Sequence, residues 1–296
     1  MDILIPYVDN SDAAWQQVYL SSQKLHFKSP KMAAVAVKAA NRRFASYGLF
    51  KYWWRALDAN FRGDYAVHLL LMQESQVPSW LDTSKVHIHY HEDFIPRHLR
   101  PCFNSSTIEL CAMKGLQLSE TYLLLNDDMY FNQPTGPGDF AEGNVPFASY
   151  KVGKPYGGTA FRDVLENGRR LISRHVGREV PPYAIHHLAQ VYQDSYAKAL
   201  LSSLWDEVLP RLTKKRHPSN VNHLMVMMGQ NAEGVSRADA RFPSSGYFDC
   251  SKLRGVSQET LSRPKVLCLN DTDASGLGCA RAYLQSRYAA PSRFEL

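Results

Sequence analysis

Thr121-Tyr122-Leu123-Leu124-Leu125-Asn126-Asp127-Asp128 is the stretch on which the fold turns. Its first five residues form a short, mostly apolar run that stops at a polar turn. Such a run reads as a strand buried on both faces, the kind found in parallel sheets. The acidic pair then stands just past the strand's carboxyl end. In open α/β sheets that is where ligands bind.

Two further runs, 3–8 and 66–72, are likewise short, apolar and followed by polar or turn residues. Helical patterns at 49–59 and 107–116 lie between them. The alternation predicts an α/β fold, Rossmann-like, with a mostly parallel sheet flanked by helices. Residues 132–160 are rich in Gly and Pro and read as a loop or β-rich insertion that could cover a site. Residues 184–212 read as helical, ending near Pro210, and 263–269 as a late strand. The expected organisation is a single catalytic domain over 1–296, with about 132–215 as an insertion and helical part completing the site.

Composition narrows the class. Hydrophobic residues make up 45% and charged residues 21% of the 296, ordinary globular usage and not that of a disordered chain. No apolar run approaches the ~18 residues of a membrane span. Met1-Asp2-Ile3-Leu4-Ile5 begins as a strand, so a signal peptide is not expected. The five cysteines are odd in number and lack a Cys-x-x-Cys, which argues for reduced thiols in the cytoplasm. The net charge of +6 is local: residues 151–220 hold 12 Lys and Arg against 6 Asp and Glu. A basic zone suits phosphates or an anionic surface, and a solvated face is the plain alternative.

Carboxylates recur at strand ends. The first strand runs into Asp9-Asn10-Ser11-Asp12, the third into Asn126-Asp127-Asp128, and the late one into Asn270-Asp271. One such pair is often a turn or a cap. Three of them at one sheet edge favour Mg²⁺ or Mn²⁺, which take oxygen ligands from one or two carboxylates and from substrate phosphates. His87, His89 and His91 alternate as a strand would present them to one face, a spacing to weigh for zinc against a half-exposed strand. His186-His187 opens a helical stretch in the basic zone and supplies a candidate general base, or plain helix packing. Arg216 ends Lys214-Lys215-Arg216 and is suited to clamp phosphate oxygens. Ser105 and Glu109, four apart, share a helix face if Ser105 opens the helix.

These blocks, taken in order, resemble the Stealth family, which includes bacterial capsular polysaccharide phosphotransferases and the animal lysosomal-enzyme N-acetylglucosamine-phosphotransferase. Tyr7-Val8-Asp9-Asn10-Ser11-Asp12 resembles the opening block, with Tyr7 where the family has Trp and Asn10 where it has Gly. Asn tolerates the left-handed turn expected there. The second and longest block runs from Arg42-Arg43-Phe44 through Lys51 and Arg55, Gln76-Val77-Pro78-Ser79-Trp80-Leu81, Phe103-Asn104-Ser105 and Ile108-Glu109 to Asp128. The third spans His187 to Arg216-His217, and the fourth is Val266-Leu267-Cys268-Leu269-Asn270-Asp271. The resemblance implies a nucleotide-sugar transferase-like fold and transfer of a hexose-1-phosphate from a nucleotide sugar to a glycan or lipid-linked glycan hydroxyl.

Carried over by position, Asp128 and Asp271 would hold the metal. His187, with His186 beside it, would deprotonate the acceptor, and Arg216 would steady the phosphate charge. Asp127 joins His187 and Arg216 in the catalytic set, with Asn126 next to it on the substrate. Asp9 and Ser11 would face the nucleotide, Lys51 and Arg55 its diphosphate, and Ser105 and Glu109 the donor sugar or phosphates. No nucleic-acid partner is expected. The local charge and a lipid-linked acceptor leave room for peripheral association with the inner face of the membrane. The competing readings are an ordinary metal-dependent glycosyltransferase, which would release a nucleoside diphosphate, and a non-catalytic protein that binds anionic glycans.

Overall fold

Ile3, Leu4 and Ile5 are all fully buried, yet they belong to two different cores. Successive side chains of a strand point to opposite faces, so this is what a sheet covered on both sides requires. The chain is a computed structural model that describes residues 1–24, 44, 47–148, 151–153, 159–184, 189–270 and 276–296. The strands are β1 (Asp2–Pro6), β2 (Ala66–Leu71), β3 (His87–Tyr90), β4 (Thr121–Leu124) and β5 (Met129–Phe131). Two-residue strands β6 (Ala141–Glu142), β7 (Val145–Pro146), β8 (Lys151–Val152) and β9 (Tyr183–Ala184) follow, then β10 (Gln190–Gln193), β11 (Ser245–Asp249) and β12 (Val266–Asn270).

The main sheet has the order β10-β4-β1-β2-β3, with β1 parallel to β2 and β4, β2 parallel to β3, and β10 antiparallel on the edge. Register follows burial. Ile3 lies beside Val67 and Leu123, on one face, and Leu4 beside Leu124, on the other. The longer helices are α1 (Ala13–Lys24), α2 (Phe50–Asn60), α3 (Ser105–Gly115), α4 (Ala160–His175), α5 (Asp194–Ser203), α6 (Leu224–Ala232) and α7 (Leu277–Arg287). The first face is packed by Phe50, Trp53, Trp54 and Leu57 of α2, and the second by α3, α5 and α6 through residues such as Leu110, Leu200 and Met225. The mostly parallel α/β architecture expected from the sequence is what the chain adopts.

Strand order also locates the crevice. The chain leaves β1 for β2 and β3 on one side, then returns to place β4 on the other. The reversal between β1 and β4 is the switch point beyond which open α/β sheets hold ligands.

The structure corrects two expectations about these elements. Asp9 and Asp128 follow strands of the main sheet, but Asn270 ends β12, which belongs to a second sheet of order β11-β12-β5. Residues 184–212 do not begin as a helix. Val191 and Tyr192 are buried in β10, paired with Leu123 and Tyr122, and helix starts only at Asp194. Pairing with the β4 edge overrides the weak local preference of this segment. In the basic zone Arg169 and Arg170 pair with Glu166, and Arg174 with Glu207, as charges on a solvated face do. The Gly- and Pro-rich segment forms the β6–β7 ribbon, and β8 pairs with β9. Among the described residues, no helix is long and apolar enough to cross a membrane.

Candidate active site

The start of α3 is built by residues far away in sequence. Asn104 precedes the helix in extended backbone, but its side chain does not cap it. Its buried amide donates instead to Asn220 Oδ1 at 3.0 Å, to Thr107 Oγ1 at 3.2 Å and to the Thr213 carbonyl at 3.2 Å. Thr107 Oγ1 donates to the same Thr213 carbonyl (2.9 Å), and Phe103 N donates to Lys214 O (2.7 Å). Asn104, Thr107 and Asn220 are almost completely buried. Buried polar groups that satisfy one another fix a geometry. Here they fasten the 211–220 loop to the first turn of α3 and bring Arg216 to Ser105, with Nη2 3.3 Å from Oγ.

Arg216, Ser105, Glu109 and Asn126 line one cavity of about 270 Å³, together with Asn222 and His223. Four residues singled out from three separate motifs thus meet in one place. Ser105 and Ser106 both face this cavity from the first turn of α3. The amide N–H groups of a helix's first turn have no partner within the helix, and this end carries partial positive charge. Burial lowers the pKa of the Arg216 guanidinium, and the negative charge of Glu109 acts in the opposite direction. Arg is so basic that it stays charged. Among the described residues, no carboxylate lies within ion-pair distance of it.

Glu109 sits one turn along α3 from Ser105 and is buried, 5% exposed. Its Oε2 is 3.6 Å from His223 Nε2. The other ring nitrogen, Nδ1, is 2.6 Å from the hydroxyl of Tyr192, a fully buried residue of β10. Burial raises the Tyr192 pKa well above its ordinary value, so this hydroxyl keeps its proton. Neither His223 nor Tyr192 stands out in the sequence. The only signal is the polar run Asn220-Val221-Asn222-His223 just ahead of the apolar start of α6.

A second cavity, about 410 Å³, opens beyond β1 and is lined by Tyr7, Asp9, Ser11, Lys51, Gln76 and Trp80 among others. Gln76, almost completely buried, holds the turn from both sides: Asp9 N donates to its Oε1 (2.9 Å), and its Nε2 donates to Asp9 O (3.0 Å) and Asp12 Oδ2 (2.7 Å). The Asp9 carboxylate accepts from Ser11 N at 2.8 Å. Tyr7 stacks on Phe50 with ring centroids 3.8 Å apart, so the ring at the family's Trp position packs into α2. Asn10 has no positive φ, so the turn is made without the left-handed conformation. Lys51 lines the cavity but pairs with Glu295, Nζ–Oε2 2.9 Å.

Arg55 is brought to neither cavity. It forms a two-pronged pair with Glu295, Nε–Oε1 2.8 Å and Nη2–Oε2 2.9 Å, and its Nη1 donates to the carbonyls of Tyr288 and Ala289. Its donors are spent on the C-terminal segment, which corrects the expectation that it faces the donor.

Asn126, Asp127 and Asp128 form a half-buried turn between β4 and β5, closed by Met129 N donating to Asn126 O (3.1 Å). β12 runs antiparallel to β5. Leu269 N donates to Asp128 O at 2.9 Å, which sets Asn270, the end of β12, beside this turn. Cys268 Sγ lies 3.5 Å from Asp128 Oδ2. The donors at this turn are carboxylate and amide oxygens, a set that fits a hard divalent ion taking one or two carboxylates and substrate phosphate. Asp271, His186 and His187 lie outside the described residues, and among those described there is no group of three or more His, Cys, Asp or Glu placed to hold a metal.

The histidine triplet does not share one face. His87 and His89 are on β3, but His91 opens a short helix, is buried, and has its pKa pushed down to about 3 by that burial. His89 instead meets His68 of β2, Nε2 to Nδ1 2.9 Å, and His68 Nε2 is 3.3 Å from Asp2 Oδ2.

Residues 43–147 match the family described as Stealth protein CR2, conserved region 2. The chain is 30% identical over 316 aligned residues to the capsular polysaccharide phosphotransferase WcwK of Streptococcus pneumoniae, covering 93% of this chain and 90% of that protein. It is 36% identical over 149 residues to the exopolysaccharide phosphotransferase cps2G of Lactiplantibacillus plantarum, covering 49% of this chain and 41% of that protein. Among solved structures, the galactosyltransferase LgtC in complex with donor and acceptor sugar analogues superposes with a TM-score of 0.41 at 14% identity, covering 99% and 98% of the two chains. Relatives named phosphotransferases along nearly the whole chain exclude a purely binding role. The chain is an enzyme and belongs to the Stealth family of capsular and exopolysaccharide phosphotransferases.

Proposed function

We propose that this enzyme transfers a hexose-1-phosphate from a nucleotide sugar to a glycan hydroxyl, with Mg²⁺ or Mn²⁺ held by Asp128 and Asp271. The observation that carries the reading is the cavity at α3. The Arg216 guanidinium and the positive end of a helix converge there on Ser105, and a buried carboxylate sits one turn further on. The first pair suits a phosphate and the last suits sugar hydroxyls. A nucleotide sugar presents both groups together.

In this reaction the acceptor oxygen attacks the sugar-proximal phosphorus, and a new P–O bond forms. The bond from that phosphorus to the bridging oxygen breaks, and a nucleoside monophosphate leaves with the electron pair. His187, with His186 as its neighbour, takes the acceptor proton. Arg216 and the first turn of α3 hold the transferred phosphoryl oxygens, where charge is redistributed in the transition state. When bound, the divalent ion supplies positive charge against the donor phosphates and the leaving group. Asp127 joins His187 and Arg216 in the catalytic set, and Asn126 faces the substrate from the cavity wall. Asp9 and Ser11 face the nucleotide from the second cavity, with Lys51 at its rim.

The test is turnover with Mg²⁺ or Mn²⁺ in wild type, Asp128→Asn and His187→Ala, with folding followed by circular dichroism. Asp128→Asn should abolish turnover and His187→Ala should lower it at least ~10²-fold, both with the wild-type spectrum. Substantial activity in Asp128→Asn, or undiminished turnover after metal chelation, would remove the metal assignment.

A further inference from the structure

Glu109 is a carboxylate in a poor place for one. It is buried on α3, and a buried charge must be paired and held. His223 stands within ion-pair distance of it when the ring is protonated, and the ring is held from behind. The Tyr192 hydroxyl meets Nδ1 at 2.6 Å, which leaves Nε2 as the ring atom turned to Glu109 Oε2, 3.6 Å away. The two elements that carry this arrangement are themselves locked together. Gln230 of α6 accepts from Gln193 N (2.8 Å) and donates to Val191 O (3.2 Å), both on β10. His223 directly precedes α6, and Tyr192 lies between Val191 and Gln193. The imidazole is therefore fixed from two sides, in the wall of the cavity that Arg216 and Ser105 also line.

We infer that His223 and Tyr192 are positioning residues that aim Glu109 at hydroxyl groups of the hexosyl part of the donor. The inference rests on the reading of the cavity given above, in which Arg216 and Ser105 take the phosphate. A carboxylate repels a phosphate and accepts hydrogen bonds from hydroxyls. The cavity therefore has an anion-binding end and a hydroxyl-reading end, and Glu109 is the reader. His223 keeps its oxygens in place by presenting Nε2. An amide mimics this if it reaches the position of Nε2, as Gln does. Asn, one methylene shorter, reaches only the position of Nδ1.

The test is calorimetric binding of inorganic phosphate and of a panel of hexose 1-phosphates (glucose, galactose, mannose and N-acetylglucosamine) to wild type, His223→Ala, His223→Asn, His223→Gln, Tyr192→Phe and Arg216→Ala. Wild type should bind its preferred hexose 1-phosphate at least ~10-fold more tightly than phosphate, the advantage expected of hydrogen bonds to a charged group. His223→Ala and His223→Asn should lose that advantage while still binding phosphate as wild type does. His223→Gln should restore most of it, and Tyr192→Phe should lose part. An advantage that survives in His223→Ala, or is restored equally by Asn and Gln, overturns the inference. Phosphate binding that does not depend on Arg216 would instead overturn the reading of the cavity, and this inference with it.

Discussion

Arg55 and Arg216 carry the same fork of donors into two different kinds of place. Arg55 is matched prong for prong by Glu295 and finished by two backbone carbonyls. Arg216 is bonded to a neutral hydroxyl, Ser105, and faces a cavity. The first arrangement is complete and joins α2 to the C-terminal segment. Among the described residues the second is held in place by neighbours, through Asn104, Thr107, Thr213 and Asn220, and by no carboxylate of its own. The difference teaches that a basic residue in a motif becomes a ligand site only where the fold leaves its charge to be answered by a substrate.

The sharpest way to break the comparison is to truncate both arginines. Arg216→Ala should cost activity, by about 10²- to 10³-fold as for a lost donor to transition-state charge, with little change in melting temperature. Arg55→Ala should do the reverse. Its side chain is 13% exposed and that of Glu295 is 5% exposed, and losing it leaves that carboxylate to Lys51 and Ser292, at a cost of about 2 kcal/mol. Activity of the remaining folded enzyme should be near wild type. Equal losses of activity in the two variants would contradict the division.

A smaller effect separates them by pH. Burial alone would raise the Glu295 carboxyl, but its hydrogen bonds to Arg55, Ser292 and Lys51 outweigh this and hold it at about 2, below its ordinary 4.5. A depressed carboxyl contributes its stability in full above the unfolded pKa and loses it as pH falls toward the folded one. The gap in melting temperature between wild type and Arg55→Ala should therefore be full above about pH 4.5 and shrink steadily toward pH 2. A gap independent of pH would show that Glu295 is not the partner that matters.

Much of the fold was legible because β1, β2 and β4 are buried on both faces, and an apolar run that ends in Asp or Asn declares itself. β10 did not, since its Gln-flanked four residues owe their conformation to pairing with β4. Ser105 and Asn126 were readable as polar residues at element ends, Glu109 as sharing a helix face with Ser105, and Arg216 as the end of a basic run. Their meeting was not readable, because Arg216 reaches Ser105 across 111 residues through a buried Asn and Thr network. The pairing of Arg55 was not readable for the same reason, its partner lying 240 residues on. His223 carries no motif, and its contact with Tyr192 appears only once the chain is folded.

The central claim is that phosphorus, not the sugar carbon, is the centre transferred. It is tested most directly by incubating the enzyme with Mg²⁺ or Mn²⁺, a panel of nucleotide sugars and a glycan acceptor, then identifying the nucleotide released. A nucleoside monophosphate, with a phosphodiester in the glycan product, is the result predicted. A nucleoside diphosphate with a plain glycosidic bond would contradict it.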